Sequence, residues 1–152
     1  MGETIRAAPA SGRFGLVLTD NPDRTAEAAI EDGLTAYNLH KAGHVDARPL
    51  AVLVKAPDDA GVVGGLVGRT TLGVFFIDLI FLPDEARGSG IGTRVMAMAE
   101  AEARRRGCTA ATLFTITFQA PEFYKRCGYR ELGRIECAPP GHTRICMTKP
   151  LQ

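Results

Sequence analysis

Apolar residues recur along this chain with two periods, and the changes between the periods predict an alternation of strands and helices. Residues 14–18 form a short apolar run that predicts a first strand. A helical face follows, in which apolar side chains return every three or four residues as far as Gly43, a residue that favours helix termination. Residues 19–22 provide capping oxygens and a proline for the start of this helix, and Gly33 leaves open its division into two helices.

The middle of the chain predicts a hairpin and then a long strand. Two valine-rich runs, 50–55 and 62–67, are separated by residues 57–61, which include the proline, aspartates and glycine of a turn. Residues 74–82 are aromatic and β-branched and are interrupted by a single charge, at Asp78.

The last third of the chain predicts a helix over 90–106, a strand over 109–118 and a short helix over 121–126, followed by strands over 129–137 and 143–148. The residues expected on the buried face of the longer helix are Ile91, Val95, Met98 and Ala99. This element order predicts an α/β domain with a mixed sheet, and it fits a classical dinucleotide-binding domain poorly.

Length and composition favour a single globular domain over residues 1–152. Apolar residues make up 45% of the chain, and the net charge of +1 does not indicate nucleic acid as a partner. The four cysteines lack the close pairing of a zinc or redox centre, and His40 and His44 lack the glutamate of a zinc protease motif. We found neither a signal peptide pattern nor a membrane-spanning apolar run, so we expect a cytoplasmic protein without a membrane partner.

A glycine-rich segment, Arg87-Gly88-Ser89-Gly90-Ile91-Gly92-Thr93, joins the predicted long strand to the longer helix. Glycines let a backbone approach a ligand closely, and a helix start presents unpaired amides with partial positive charge. The segment therefore predicts a binding site for an anion such as pyrophosphate, with the arginine as a charged supplement. The residues leave open a turn that only packs the helix against the strand.

Other phosphate and nucleophile motifs do not match this segment. A dinucleotide fingerprint needs a third glycine where Thr93 stands, and a P-loop needs a Gly-Lys-Ser/Thr triplet. Ser89 lacks the flanking glycines of a hydrolase nucleophile.

Arg87, Gly90 and Gly92 match the Arg/Gln-x-x-Gly-x-Gly/Ala signature of the GNAT superfamily of N-acetyltransferases. A second match lies at residues 119–129, which contain Phe-Tyr and then Gly-Tyr and resemble the segment that closes this family's domain. The chain resembles the family over about residues 14–149. The resemblance implies an α/β fold with a mixed, mostly antiparallel central sheet that splays open and is flanked by helices.

The resemblance also implies acetyl-CoA as a co-substrate, without a metal. Backbone groups at Phe81 and Leu82 would pair with the pantetheine arm, and residues 87–93 would surround the pyrophosphate. Tyr124 would bind the coenzyme and act as the general acid for the departing thiolate, since phenol and thiol pKa values typically differ by only about 1.5 units. Gln119, which stands where an asparagine is frequent in the family, would contact the coenzyme too.

Asp78 is the one charge in an apolar strand, and burial of a carboxylate is costly unless it is paired or neutralised. A desolvated carboxylate is a stronger base, so Asp78 is a candidate for deprotonating an alkylammonium acceptor. A structural salt bridge, with Arg69 as the partner, is the alternative that stays open.

The acceptor implied by the resemblance is a primary amine of a small molecule. Residues 118–121 and 139–144 resemble a branch of small bacterial members that includes antibiotic-modifying enzymes, among them aminoglycoside acetyltransferases of the kasugamycin-inactivating kind. The residues expected at the acceptor wall are Tyr37, Asn38, Arg69, Gln119 and His142. Acetylation of protein or peptide amines, a non-catalytic acyl-CoA-binding module and a homodimer all stay open.

Overall fold

The structure, a computed structural model, describes residues 4–11 and 14–152. The chain forms two compact units, Met1–Val45 and Asp46–Gln152. The single domain expected from the sequence stays a prediction, and the two units are described in turn. Among the described residues, no helix combines the length and the apolar composition that a membrane span requires.

The N-terminal unit contains an antiparallel strand pair, β1 (Thr4–Ser11) and β2 (Phe14–Thr19), followed by helix α1 (Arg24–Ala42). The predicted first strand is confirmed as β2, whereas β1 was missed because its sequence lacks a regular apolar alternation. Helix α1 is continuous through Gly33, so the division into two helices did not occur.

The ends of α1 are fixed by one side chain and one glycine. Asp23 is the cap residue, since its Oδ1 accepts the amide proton of Ala26 at 2.7 Å, and the cap predicted within residues 19–21 was wrong. Gly43 ends the helix as predicted: it has a φ of 76° and its amide donates to the carbonyl of Leu39 at 2.9 Å.

The C-terminal unit is built on a six-stranded sheet in the order β3-β4-β5-β6-β8-β7. Neighbouring strands are antiparallel except β5 and β6, which are parallel and are joined through the helix over Ile91–Arg105. The strands are β3 (Arg48–Lys55), β4 (Val62–Thr71), β5 (Val74–Phe81), β6 (Ala110–Ile116), β7 (Arg130–Cys137) and β8 (His142–Pro150). The helices are α2 (Ile91–Arg105) and α3 (Pro121–Arg126). The predicted elements of this unit are confirmed, with boundary shifts of a few residues.

One face of this sheet forms the hydrophobic core with α2. The helix buries Val95, Met96, Ala99 and Ala103, and the sheet contributes large side chains that include Leu66, Phe75 and Met147. Met98, which was expected on the buried face, is exposed, and Met96 takes its place. The buried face of α2 also includes Gly92, Glu100 and Ala103, so its centre lies on the Met96 side of Val95 and Ala99.

Candidate active site

The central feature of the C-terminal unit is an opening in its sheet. The parallel pairing of β5 with β6 runs from Val74 opposite Ala110 to Ile77 opposite Leu113 and ends there, although both strands continue. β6 stays paired with β8 as far as Ile116. The two parallel strands therefore splay apart, and the end of β5 presents backbone groups that an extended ligand can pair with.

A bulge in β5 places Asp78 at the start of this opening. Val67 of β4 lies opposite Leu79, and Gly68 lies opposite Ile77, so Asp78 is an extra residue between them. A side chain at Gly68 would bring its Cβ within 2.2 Å of the Phe76 carbonyl oxygen, which explains the glycine beside the bulge. The bulge ends the inward alternation of β5 and turns Asp78 out of the core.

A cleft of about 920 Å³ occupies the opening. It is bounded by the end of β5, the loop into α2, the end of β6 and the helix α3. The residues expected to bind coenzyme or to react that line it are Asp78, Phe81, Leu82, Arg87, Gly88, Gly90, Gly92, Thr93, Gln119 and Tyr124. The fold thus brings most of the predicted coenzyme site together.

The loop before α2 presents a set of backbone amides to this cleft. Gly88 and Gly90 have φ values of 71° and 82°, and the space that a side chain would enter at each of them is open. Among the described residues, five amides of the loop have no protein acceptor, those of Gly88, Ser89, Gly90, Gly92 and Thr93. These amides, together with the dipole of the 15-residue helix α2, fit a pyrophosphate.

Two side chains of the loop stabilise the loop itself. The Ser89 hydroxyl donates to the carbonyl of Ala86 at 2.6 Å. Arg87 donates from Nε to the carbonyl of Leu82 at 3.1 Å and pairs with Asp84 at 2.8 Å. Direct support of a bound phosphate by Arg87 therefore stays a prediction, and its observed contacts fix the loop.

Gly92 has a different role from Gly90. It is buried at the first turn of α2, and a Cβ there would lie 3.1 Å from both a Leu82 methyl group and the Phe123 ring. Nothing in the local sequence distinguishes the roles of these two glycines. Gly90 leaves space for a ligand, whereas Gly92 permits close packing of α2 against α3.

Gly92→Asp is therefore expected to destabilise the fold by about 1–3 kcal/mol, because the new side chain must displace the Phe123 ring and enter an apolar contact. Thermal unfolding measures the loss. Gly33→Asp is the matched comparison, because Gly33 also lies in a helix, without a positive φ and with open space at the substituted position. A Gly92→Asp variant as stable as the unsubstituted protein would contradict the packing role.

Tyr124 is held in the wall of the cleft by the aromatic rings around it. Its side chain is 6% exposed, and its ring lies edge-on to those of Phe123 and Tyr129, with centroids 5.2 and 6.2 Å away. Burial raises the pKa of the Tyr124 phenol to about 12, and the nearby Cys127 thiol acts in the same direction. The phenol therefore keeps its proton throughout the neutral range and can act as a donor.

A buried ionic network that the sequence did not reveal anchors Tyr129 behind Tyr124. The Tyr129 hydroxyl donates to Glu100 at 3.2 Å, and Lys149 pairs with the other oxygen of Glu100 at 2.7 Å. The Tyr129 amide donates to the Tyr124 carbonyl at 3.0 Å. Burial, together with the carboxylate of Glu100, raises the pKa of Tyr129. The hydrogen bond between the Tyr129 amide and the Tyr124 carbonyl therefore links α3 to Tyr129. The Tyr129 hydroxyl is in turn held by Glu100 of α2, which Lys149 of β8 fixes in place.

Asp78 differs from the expectation in its exposure. Its side chain is 42% exposed, so the predicted burial was wrong, and its carboxylate forms a salt bridge with Arg69. The Arg69 guanidinium also lies over the Phe76 ring, 5.0 Å from the centroid. The alternative that the sequence left open, a pair with Arg69, is therefore present, while the carboxylate still lines the cleft.

The other predicted acceptor residues are dispersed. Gln119 lines the cleft, and its Oε1 accepts from the Ile116 amide at 3.0 Å, which closes the end of β6. His142 borders a separate cavity of about 680 Å³ at the β7–β8 turn, and its Nδ1 lies 3.2 Å from the Thr117 hydroxyl. Tyr37 and Asn38 belong to α1 in the N-terminal unit, and their role at the acceptor stays a prediction.

Ten residues that line the cleft were missing from the predicted site, and four of them present a charge or a largely exposed aromatic ring: Phe114, Phe118, Arg126 and Arg144. The alternation along β8 of residues that face the core and residues that face away from it predicts the orientation of Arg144. Ile145 and Met147 point into the core, so Arg144 must face the other way. The sequence did not indicate that the opening of the sheet lies beside it.

Comparison with known proteins agrees with this geometry. The chain is 44% identical over 122 residues to an acetyltransferase of Agrobacterium fabrum, which covers 80% of this chain and 88% of the relative. It is 40% identical over 116 residues to the blasticidin-S acetyltransferase of Streptomyces morookaense, over 74% of this chain and 85% of the relative.

A solved structure has the same fold. The crystal structure assigned to an acetyltransferase from Agrobacterium tumefaciens superimposes with a TM-score of 0.82 at 39% identity, over 90% of this chain and 99% of that one. The model of the acetyltransferase (GNAT) family matches residues 18–129. Members of this family use acetyl-CoA. The chain therefore belongs to the GNAT family of acetyltransferases.

Proposed function

We propose that this acetyltransferase transfers the acetyl group of acetyl-CoA to a primary amine of a small molecule, and that the acceptor is an antibiotic of the kind its blasticidin-S relative is named for. The observation that carries the proposal is the composition of one cleft. It combines unpartnered backbone amides at one end, an open strand edge in the middle and a buried, protonated phenol in its wall.

The chain's own groups divide the work of binding. The amides of residues 88–93 hold the pyrophosphate, and the backbone of Phe81 and Leu82, at the end of β5 and just after it, pairs with the pantetheine arm. Acetyl-CoA, when bound, supplies the activated thioester. Alignment of this thioester with the amine in a cleft of fixed shape replaces an encounter in solution, which is among the largest contributions to rate that a binding site can make.

Tyr124 supports the departure of the thiol by donating a hydrogen bond from its Oη. Its pKa of about 12 lies roughly 3.5 units above that of an ordinary thiol, so complete transfer of the proton to a free thiolate is uphill by about 5 kcal/mol. A hydrogen bond that strengthens as charge develops on the sulfur does not carry that full cost. The proton released by the acceptor amine then restores neutrality.

Asp78 binds the amino group of the acceptor. The ionised carboxylate lies at the mouth of the splay, where it attracts an alkylammonium group and accepts its proton directly or through water. Arg69 orients the carboxylate until the acceptor arrives.

Asp78→Asn is expected to lower kcat/KM by at least about tenfold and to alter its pH profile, because the base is lost while the shape of the side chain is kept. Asp59→Asn is the control, since Asp59 also forms an exposed salt bridge, with Lys55, but lies outside the cleft. If the pH profile of Asp78→Asn overlays that of the unsubstituted protein, Asp78 is a structural residue only.

A thiol-release assay with acetyl-CoA tests the proposed function. The acceptors are blasticidin S, aminoglycosides, polyamines and lysine-containing peptides, and mass spectrometry identifies the products. We expect release with at least one antibiotic, accompanied by one added acetyl group. Release with peptides alone would support a protein acetyltransferase, and binding of acetyl-CoA without release would support a non-catalytic module.

A further inference from the structure

The cleft contains positive charge that the chain does not neutralise. Of its three arginines, Arg87 is paired with Asp84. Arg126 and Arg144 form neither a salt bridge nor a side-chain hydrogen bond with any residue that the structure describes. A cation that lines a ligand cleft without a protein partner is available to an anionic group of the ligand.

The position of Arg144 separates it from the pyrophosphate loop. That loop follows β5, whereas Arg144 lies on β8, opposite Ile116 and on the far side of β6. An anion at Arg144 is therefore a different group from the pyrophosphate. Arg126 belongs to α3, two residues after Tyr124, and carries no part of this argument.

The same cleft places Asp78 across from Arg144. In a regular sheet, two strand spacings of about 4.8 Å and two residues of about 3.3 Å along the strands would separate the backbone positions by about 12 Å, and the splay of β5 from β6 makes the distance larger. The side chains of Phe114 and Phe118 line the cleft and are more than half exposed. A ligand that covers these rings would displace water around both charges and strengthen its own ion pairs.

We propose that the acceptor carries a carboxylate as well as its amine, and that Arg144 binds the carboxylate while the amine faces Asp78. A guanidinium matches a carboxylate in shape and in charge, since one positive charge balances one negative charge. A phosphate, with up to two charges, would call for a second cation at this position. The proposal rests on the proposed function, because it concerns the acceptor of the same transfer reaction.

The test uses ω-amino carboxylic acids of four to eight carbons, each compared with its own primary amide, as acceptors in the thiol-release assay. The unsubstituted protein is expected to prefer the acid over the amide by about fivefold or more in kcat/KM, most strongly for the longer chains. The preference should fall as salt concentration rises, because Arg144 is partly in water.

Arg144→Gln is expected to abolish this preference and to leave the affinity for acetyl-CoA unchanged, while Arg144→Lys keeps part of the preference. Arg130→Gln is the control, since Arg130 is also exposed and lies on β7 outside the cleft. Any of three results would overturn the inference. These are equal use of acid and amide by the unsubstituted protein, no use of the acids at all, and a preference for the acid that survives Arg144→Gln. Acetylation of blasticidin S with no preference for acids would overturn this inference alone, whereas absence of transfer to every amine would overturn the proposed function as well.

Discussion

Gly90→Asp is expected to weaken the binding of acetyl-CoA by at least about 100-fold while the protein stays folded. The new carboxylate would enter open space beside amides that have no protein acceptor in the described part of the chain, and it would bond to them in place of the pyrophosphate. The φ of 82° costs a non-glycine residue about 1–2 kcal/mol, which is less than the roughly 5–15 kcal/mol that stabilises a typical domain. Isothermal titration calorimetry measures the affinity.

Gly73→Asp is the matched control for this substitution. Gly73 also has a positive φ, 79°, and open space around it, but it lies at the turn between β4 and β5, outside the cleft. Equal charge and similar backbone strain are thus introduced away from the site. If both variants bind acetyl-CoA as the unsubstituted protein does, the loop is not the pyrophosphate site.

Tyr124→Phe is expected to lower kcat by at least about tenfold with little change in the affinity for acetyl-CoA. The substitution removes one hydroxyl and keeps the ring contacts with Phe123 and Tyr129, so the loss belongs to proton donation. Rapid-quench measurement of a single turnover isolates the chemical step. An unchanged rate under conditions where chemistry limits turnover would reduce Tyr124 to a packing residue.

The raised pKa of Tyr124 adds a second measurement to this comparison. Because the buried phenol ionises near pH 12 and an unfolded tyrosine ionises near pH 10, its contribution to stability is fully present below pH 10 and is lost as the pH rises towards 12. The unsubstituted protein should therefore lose stability relative to Tyr124→Phe across that interval. Denaturant unfolding at pH 8 and pH 10.5 measures the difference.

The sequence predicted the C-terminal unit well because its elements have strong local signals. Pro121 and Gly128 bound α3, and the valine-rich runs around residues 57–61 form the expected hairpin. The coenzyme loop was predicted for a similar reason, since its residues are contiguous and its glycines lie at a junction of strand and helix.

The errors concern features that depend on distant parts of the chain. The exposure of Asp78 results from a bulge, and one sign of that bulge in the sequence is a glycine on the neighbouring strand, at Gly68. The network of Glu100, Tyr129 and Lys149 joins residues up to 49 positions apart, so no local pattern predicts it. Gly90 and Gly92 are alike in the sequence but differ in backbone conformation, since only Gly90 has a positive φ, and in what packs against them.

The most direct test of the account is backbone hydrogen–deuterium exchange of the protein with and without saturating acetyl-CoA. The amides of Gly88, Ser89, Gly90, Gly92 and Thr93 should exchange rapidly in the free protein and become strongly protected in the complex, together with amides at the end of β5 and at Leu82. Protection that leaves residues 88–93 unchanged and appears elsewhere in the chain would contradict the assignment of this cleft to the coenzyme.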